Sequence, residues 1–207
     1  AQSPTKYLGK LYQFRGKDLV VSFPEKHLPD TMAALGMESC APVNTSGLKD
    51  PTVVRDSVGE EFDQLDKVQH CKYRTVVGKL QYICPERVDV QYSVKERARN
   101  LAAPTKADLR KLKHLLRYLK GTVTHCLHLF CASTDSKIIV YVDSDWAGCR
   151  TTRKSTSSGH VCWGDCLSTS YSRTQSVIAQ SSGEAELYAI ASGAAEGLLA
   201  QSILQDL

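Results

Sequence analysis

The period of the apolar residues changes at Gly121, and that change constrains the fold more than any other feature of this 207-residue chain. Before it, Leu109, Leu112, Leu116 and Leu119 recur at i, i+3, i+7 and i+10, the spacing of one helix face. After it the residues alternate, or run apolar over short stretches, as strands do. A helical half therefore precedes a half that opens with strands. The class is α+β or α/β.

Ahead of the helices, Tyr7 to Tyr12 and Leu19 to Phe23 read as short strands around the turn Arg15-Gly16-Lys17. His27 to Leu35 reads as a short helix disturbed by Pro29. Residues 36–64 are polar and turn-rich, with Pro42, Gly47, Pro51 and Gly59, and read as a long surface loop. Three helices follow. They are Tyr73 to Cys84, Arg87 to Leu101, and one capped by Thr105, with Asp108 three residues later, that stops at Gly121.

Beyond Gly121, Thr124 to Cys131 alternates, and Ser136 to Asp143 is an apolar run that reads as a buried strand. Ser157 to Trp163 and Leu167 to Ser172 form a hairpin around Gly164-Asp165. A long helix then runs from Ser181 to about Leu204, with Leu187, Ile190, Ala191, Ala194 and Leu198 as its expected core stripe. Two domains result, 1–123 and 124–207.

Charge is distributed unevenly. Between Arg87 and Lys120 ten Lys/Arg stand against three acids, whereas Ser176 to Leu207 has four acids and no Lys or Arg. Such a split suits a protein that grips phosphates in one place and holds metal ions in another. On charge alone, a solvated helix face explains the basic stretch equally well. No run of about 18 apolar residues is present and no apolar signal core opens the chain, so neither a membrane span nor secretion is expected. The eight Cys then read as reduced thiols, mostly small hydrophobes. The chain opens on Ala1 rather than Met, which reads as a fragment or a processed piece.

Asp143 closes the strand before a Trp146-Ala147-Gly148 turn, and Asp145 is on the same side of it by alternation. Buried carboxylates need a partner or a cation, and a hard divalent ion would satisfy both. A loop of good turn formers is the competing explanation. On the following helix Glu184 and Glu186 point about 200° apart, so only one can face a given site. Helix geometry alone does not choose between them. Glu186 shares a strip with Ala189, Gly193 and Gly197, small residues that let a strand or a sugar-phosphate backbone approach.

Tyr141-Val142-Asp143-Ser144-Asp145 suggests the Tyr-x-Asp-Asp turn of a polymerase, but that turn needs adjacent aspartates in a hairpin. His125, Cys126, His128 and Cys131 are zinc-ligand types, yet neighbours in a strand point to opposite faces. Cys162 and Cys166 flank the hairpin turn without a second pair to complete a set. The stretch Arg150 to Thr156 mixes bases and hydroxyls and suits phosphate or a solvated loop equally.

Three motifs in order, Asp143-Ser-Asp-Trp-Ala-Gly, Arg153-Lys154-Ser155-Thr156-Ser157-Ser158-Gly159 and Gln175 to Glu186, resemble the ribonuclease H domain of Ty1/copia-type retrotransposon Pol polyproteins. Upstream, Lys6-Tyr-Leu-Gly, Gly36 to Val43, Tyr73 to Tyr82 and Leu116 to Thr122 resemble the C-terminal end of the same polyprotein's reverse transcriptase. Two departures stand out. Arg87-Val88-Asp89-Val90 occupies the place of Arg-Pro-Asp-Ile, and Gly183 that of Thr.

The resemblance implies a thumb- or connection-like helical region followed by a ribonuclease H-like fold of three antiparallel strands and a long helix, incomplete at its C-terminus. It implies that Asp143 and Glu186 are catalytic, metal-binding acids for Mg²⁺ or Mn²⁺, with Asp145 a further candidate ligand. RNA–DNA hybrid is then the partner, held by Arg153, Lys154, Ser155 and Ser182 and by Lys106, Arg110, Lys113 and Arg117. In complete form the protein would hydrolyse the RNA strand by a two-metal mechanism.

The resemblance also requires two more acids. Glu196 and Asp206 lie about 15 Å and 30 Å further along the same helix, out of reach. The upstream polymerase aspartates are not in the sequence either. An enzyme fragment with weakly bound metal is thus the expectation, and a decayed or domesticated nucleic-acid-binding module is the alternative. The other expected partner is the rest of the polyprotein. Placement is expected inside the cell, in a cytoplasmic particle or the nucleus, and self-association is expected through an exposed sheet edge.

Overall fold

The computed structural model describes residues 3–48, 63–130, 137–149 and 151–206. The chain is mixed α and β. Its strands are β1 (Thr5–Tyr7), β2 (Lys10–Arg15), β3 (Asp18–Ser22), β4 (Leu127–Leu129), β5 (Ile138–Asp145), β6 (Thr156–Trp163) and β7 (Cys166–Thr174). Its helices are α1 (His27–Ala33), α2 (Lys67–Ile83), α3 (Gln91–Ala98), α4 (Lys106–Gly121) and α5 (Ser182–Gln205), with a 3-10 turn at Val88–Val90. One sheet has the order β1-β2-β3-β4 and the other β5-β6-β7. The chain forms two compact units. One is residues 6–11 with 22–127, and the other is residues 1–5 and 12–21 with 128–207.

The first unit is helical. Tyr73, Val76, Val77, Leu80 and Ile83 of α2 pack with Val90, Val94 and with Leu112, Leu115, Leu116 and Leu119 of α4 in one core. Both long helices start at a cap. Asp66 accepts from Val68 and Gln69 N–H at 2.9 Å, so α2 begins six residues before the apolar spacing alone suggests. Thr105 and Asp108 form the expected capping box, and Asn100 Nδ2 also donates to the Asp108 carboxylate at 2.7 Å. The expected helix from Arg87 is instead the 3-10 turn followed by α3.

Residues 38–47 of the expected loop are strapped along α4. Lys120 Nζ donates to the carbonyls of Glu38 and Cys40, Arg117 Nε to that of Ala41 at 2.7 Å, and Val43 N–H to that of Arg117 at 3.4 Å. The loop's residues 49–62 lie outside the described residues, as do Cys131 and Ser136.

In the second unit β5, β6 and β7 are antiparallel, and α5 lies on one face of their sheet. Ser181 caps α5, its Oγ accepting from Glu184 N–H at 3.1 Å. The residues of α5 that are buried are Ala185, Ala189 and Gly193. The expected core stripe is on the outside, with Leu187 66 % and Leu198 64 % exposed. The reason is the sheet's proximity: a Cβ on Gly193 would overlap Val142 Cγ1, so only a small-residue strip fits against β5.

By length and composition alone α5 is apolar enough to cross a bilayer, although Glu186 and Glu196 interrupt its apolar run. Among the described residues the cysteines are free thiols, and burial pushes that of Cys84 up to about 12.

Candidate functional site

β5 places the two aspartates. Ile138, Val140, Val142 and Ser144 are half-buried, whereas Ile139, Tyr141, Asp143 and Asp145 are exposed. Asp143 pairs across the sheet with Ser158 and Asp145 with Thr156. The two acids thus share a face, as alternation predicts, but the strand is not buried on both sides. Among the described elements only α5 covers this sheet, and it covers the face of Val140 and Val142. The carboxylates are therefore solvated, and burial supplies no reason for them to bind a cation.

The turn after β5 is built around Asp145. The Asp145 carboxylate folds back over Gly148, where an added Cβ would make it swing away. Ala147 has φ of 51° and donates its N–H to Ser155 Oγ at 3.0 Å. Ser155 is fully buried and its carbonyl accepts from Gln175 N–H at 2.9 Å. Gln175 Nε2 in turn donates to Ser157 Oγ and to the Ala185 carbonyl, at 2.9 and 2.8 Å. Trp146 Nε1 donates to the Ala179 carbonyl at 3.1 Å. These bonds tie the turn, the hairpin and the start of α5 together. They give Ser155 a scaffolding role, whereas Arg153 and Ser182 are exposed and Lys154 is half-buried.

The start of α5 separates the two glutamates. Glu184 Oε2 accepts from Gln180 N–H at 2.7 Å, so this carboxylate completes the N-terminal cap. Glu186 is half-buried and lies on the strip that includes Gly193 and Gly197. Those glycines lie over Val142 and Val140, so α5 runs antiparallel to β5 and its start overlies the aspartate end of the strand. Glu186 is thus the acid that α5 brings toward that end.

Asp143, Asp145 and Glu186 are oxygen donors of the type a hard cation takes. They do not converge, however. Asp143 and Asp145 are on the sheet face away from α5, and among the described residues no group of three His, Cys, Asp or Glu could hold a metal ion. These residues alone do not fit a metal pair.

The basic side chains divide into two groups. Arg117 and Lys120 are engaged by the 38–47 strap, and Lys106 pairs with Asp63 at 3.2 Å. Arg110 and Lys113 are exposed. Sequence reasoning placed a helix at Tyr73 to Cys84 but did not single out the side chains near the start of α2, where Lys67, His70, Cys71, Arg74 and Thr75 line an open cavity of about 370 Å³. The signal was available, because no acid occurs from Lys67 to Ile83.

The sequence is 39 % identical over 125 residues to the uncharacterized mitochondrial protein AtMg00810 of Arabidopsis thaliana, covering 60 % of this chain and 51 % of that one. It is 31 % identical over 182 residues to the retrovirus-related Pol polyprotein from transposon RE1 of the same plant, covering 88 % and 12 %. To the retrovirus-related Pol polyprotein from transposon TNT 1-94 of Nicotiana tabacum it is 30 % identical over 195 residues, covering 88 % and 14 %. The chain thus spans about half the length of the first relative and about an eighth of the transposon polyproteins. No protein-family model and no solved structure matches it.

Proposed function

The chain belongs to the retrovirus-related Pol polyproteins of copia-type transposons, and from that premise we propose that it serves as a hybrid-binding segment of a reverse transcriptase/ribonuclease H. Residues 1–123 are the end of the reverse transcriptase and 124–207 the start of a ribonuclease H-like domain. The observation that carries this reading is the order of parts in the second unit. A strand ends in Asp143-Ser-Asp, an antiparallel hairpin follows, and a helix then returns to the acid end with Glu186 unspent while Glu184 caps.

Phosphates are held by exposed bases, Arg110 and Lys113 on α4 with Lys67 and Arg74 on α2, in a salt-sensitive contact. Discrimination of hybrid from DNA duplex rests on 2′-hydroxyls. Asp143 and Glu186 contribute to a hydrolytic centre only alongside further donors, so the 207 residues bind hybrid without cleaving it.

Fluorescence anisotropy of a labelled RNA–DNA hybrid with the 207-residue chain tests this. Binding that weakens with salt, and about tenfold on the double reversal Arg110→Glu with Lys113→Glu, is the expected outcome. Equal affinity for the double variant would sink the assignment of α4. Mg²⁺-dependent cleavage by the chain, abolished by Asp143→Asn, would overturn the claim that further donors are needed.

A further inference from the structure

Residues 38–47 descend α4 one turn at a time. Lys120 holds the carbonyls of Glu38 and Cys40, Arg117 holds that of Ala41, and the Thr45 hydroxyl lies 3.2 Å from His114 Nε2. That hydroxyl donates to the Gly47 carbonyl at 3.2 Å, so the imidazole supplies the proton of the second contact. Thr45 is exposed and lies in irregular backbone between Pro42 and Leu48. The grip on this stretch is light. Its backbone bond to α4, from Val43 N–H to the Arg117 carbonyl, is long at 3.4 Å. A segment held this way opens at little cost. The charges of strap and helix do not match either. α4 carries six Lys/Arg against one acid, Asp108, and that acid is spent on the capping box. Ser39 to Leu48 contains no Asp, Glu, Lys or Arg. His114 stands one turn from Arg110 and one turn from Arg117, with Lys113 beside it. Arg117 gives the strap only its Nε, and among the described residues its Nη groups have no acceptor. The turn of α4 under Thr45 therefore offers donors and positive charge to an anion that the strap's own side chains do not supply.

We propose that Thr45 is a phosphorylation site whose phosphoryl group is received by His114 and Arg117 of α4. The donor is ATP and the catalyst a serine/threonine protein kinase. Thr45 Oγ1 attacks the γ-phosphorus, the new P–O bond forms as the bond to ADP breaks, and the hydroxyl proton passes to the kinase's carboxylate base. The neighbouring Ser46 is half-buried, which favours Thr45 as the acceptor. The product carries a charge of about −1.5 to −2 and three acceptor oxygens at neutral pH. The guanidinium and imidazole meet these with charge-assisted bonds, so a lightly held segment becomes pinned to the helix. A second consequence rests on the hybrid-binding reading. A phosphoryl group beside Lys113 offsets part of the positive surface assigned to hybrid, so modification lowers the chain's affinity for it.

The test uses the 207-residue chain with phosphothreonine installed at position 45, beside the unmodified chain, each also as His114→Ala. Hydrogen exchange at Val43 N–H, whose acceptor is on α4, reports how firmly the strap is held. Modification should slow it about tenfold, and His114→Ala should remove most of that gain. The second ionisation of the phosphate, near pH 6 when unperturbed, should fall by about one unit in ³¹P NMR titrations, and by less in His114→Ala. Unchanged or faster exchange, or an ionisation at its ordinary value, overturns the receiving site. Incubating the unmodified chain with ATP and a plant-cell extract, plants being the source of the transposon relatives, should place phosphate on Thr45 by mass spectrometry, and Thr45→Val should lose it. Phosphate found on other residues alone, or on none, overturns the assignment of Thr45. Hybrid affinity should fall about tenfold in the phosphorylated chain, and an unaltered affinity overturns the second consequence. An unmodified chain that binds no hybrid refutes the hybrid reading, while exchange and ionisation still decide whether α4 receives the phosphate.

Discussion

Arg87 is only 5 % exposed, and its charge is met by Asp89, with Nε and Nη2 donating to the two carboxylate oxygens at 2.9 and 2.7 Å. Its other donors reach the carbonyl and hydroxyl of Thr122, and Tyr118 Oη also donates to Asp89. Burial alone would raise the Asp89 pKa, but the bonds and charge of Arg87 with the Tyr118 hydroxyl bring it below the usual carboxylate range. Its stabilisation is present above the unfolded carboxylate pKa, about 3.9, and is lost as pH falls through the lower folded value. Asp89→Asn leaves the buried guanidinium half-met. A loss of about 2 kcal/mol is expected by urea denaturation at pH 7, less than for a fully buried pair because Asp89 is partly open to water. His27 behaves in the same direction for a different reason. Its ring sits against Phe23 and Tyr82 at 5.8 and 5.7 Å, its Nε2 is buried with no hydrogen-bond partner among the described residues, and desolvation lowers its pKa against the opposing pull of the Lys79 backbone. The neutral ring therefore stabilises the helical unit above about pH 6.5, and that contribution falls as pH drops toward the folded value. Thermal melts should show a lower midpoint at pH 5 than at pH 7, and His27→Phe should shrink the difference.

At the scale of elements, α4 was fully legible. A leucine stripe, a capping box and a terminal glycine all indicated one helix, and local signals that agree are the ones that survive packing. α5 was legible in extent but not in orientation. Its Leu and Ile outweigh its Ala and Gly in any apolar tally, yet the sheet selects the small side because β5 comes too close for larger groups. The same helix hid the role of Glu184, because a cap made through Gln180 N–H depends on how the preceding loop returns. Two glycines of α5 test this orientation. Gly193→Leu must push against Val142, and a loss of about 1–3 kcal/mol from overpacking exceeds the roughly 1 kcal/mol that leaving glycine gains in a helix. At Gly183 the nearest foreign atom is Ser181 Oγ, 3.9 Å from an added Cβ, so Gly183→Ala should be neutral or slightly stabilising. Denaturant midpoints reversed in order would show that α5 faces the sheet by its other side.

Across the whole molecule the bases are concentrated in the helical unit and α5 is acidic, a division plain in the sequence. The sequence could not show which bases remain available, since that depends on a strap contacting α4 from about 80 residues away in the chain. The strap's acceptors are backbone carbonyls, so no charge pattern announces them. Two kinds of lysine and arginine therefore coexist on one helix, and they should respond differently to removal. A base that neutralises a phosphate releases condensed counterions, and each such contact contributes about 0.9 to the slope of log affinity against log salt on duplex. Removing Arg74 and Lys113 together should flatten that slope by about two while leaving the melting temperature unchanged. Lys120→Ala should do the reverse. It leaves the carbonyls of Glu38 and Cys40 without their charged donor, costing about 1–2 kcal/mol after allowance for the partial exposure of these bonds, and leaves the salt slope as it was. Titrations of hybrid at several salt concentrations, beside melts of the same variants, separate the two kinds. A slope that falls with Lys120→Ala would mean that the strap yields its lysine to phosphate.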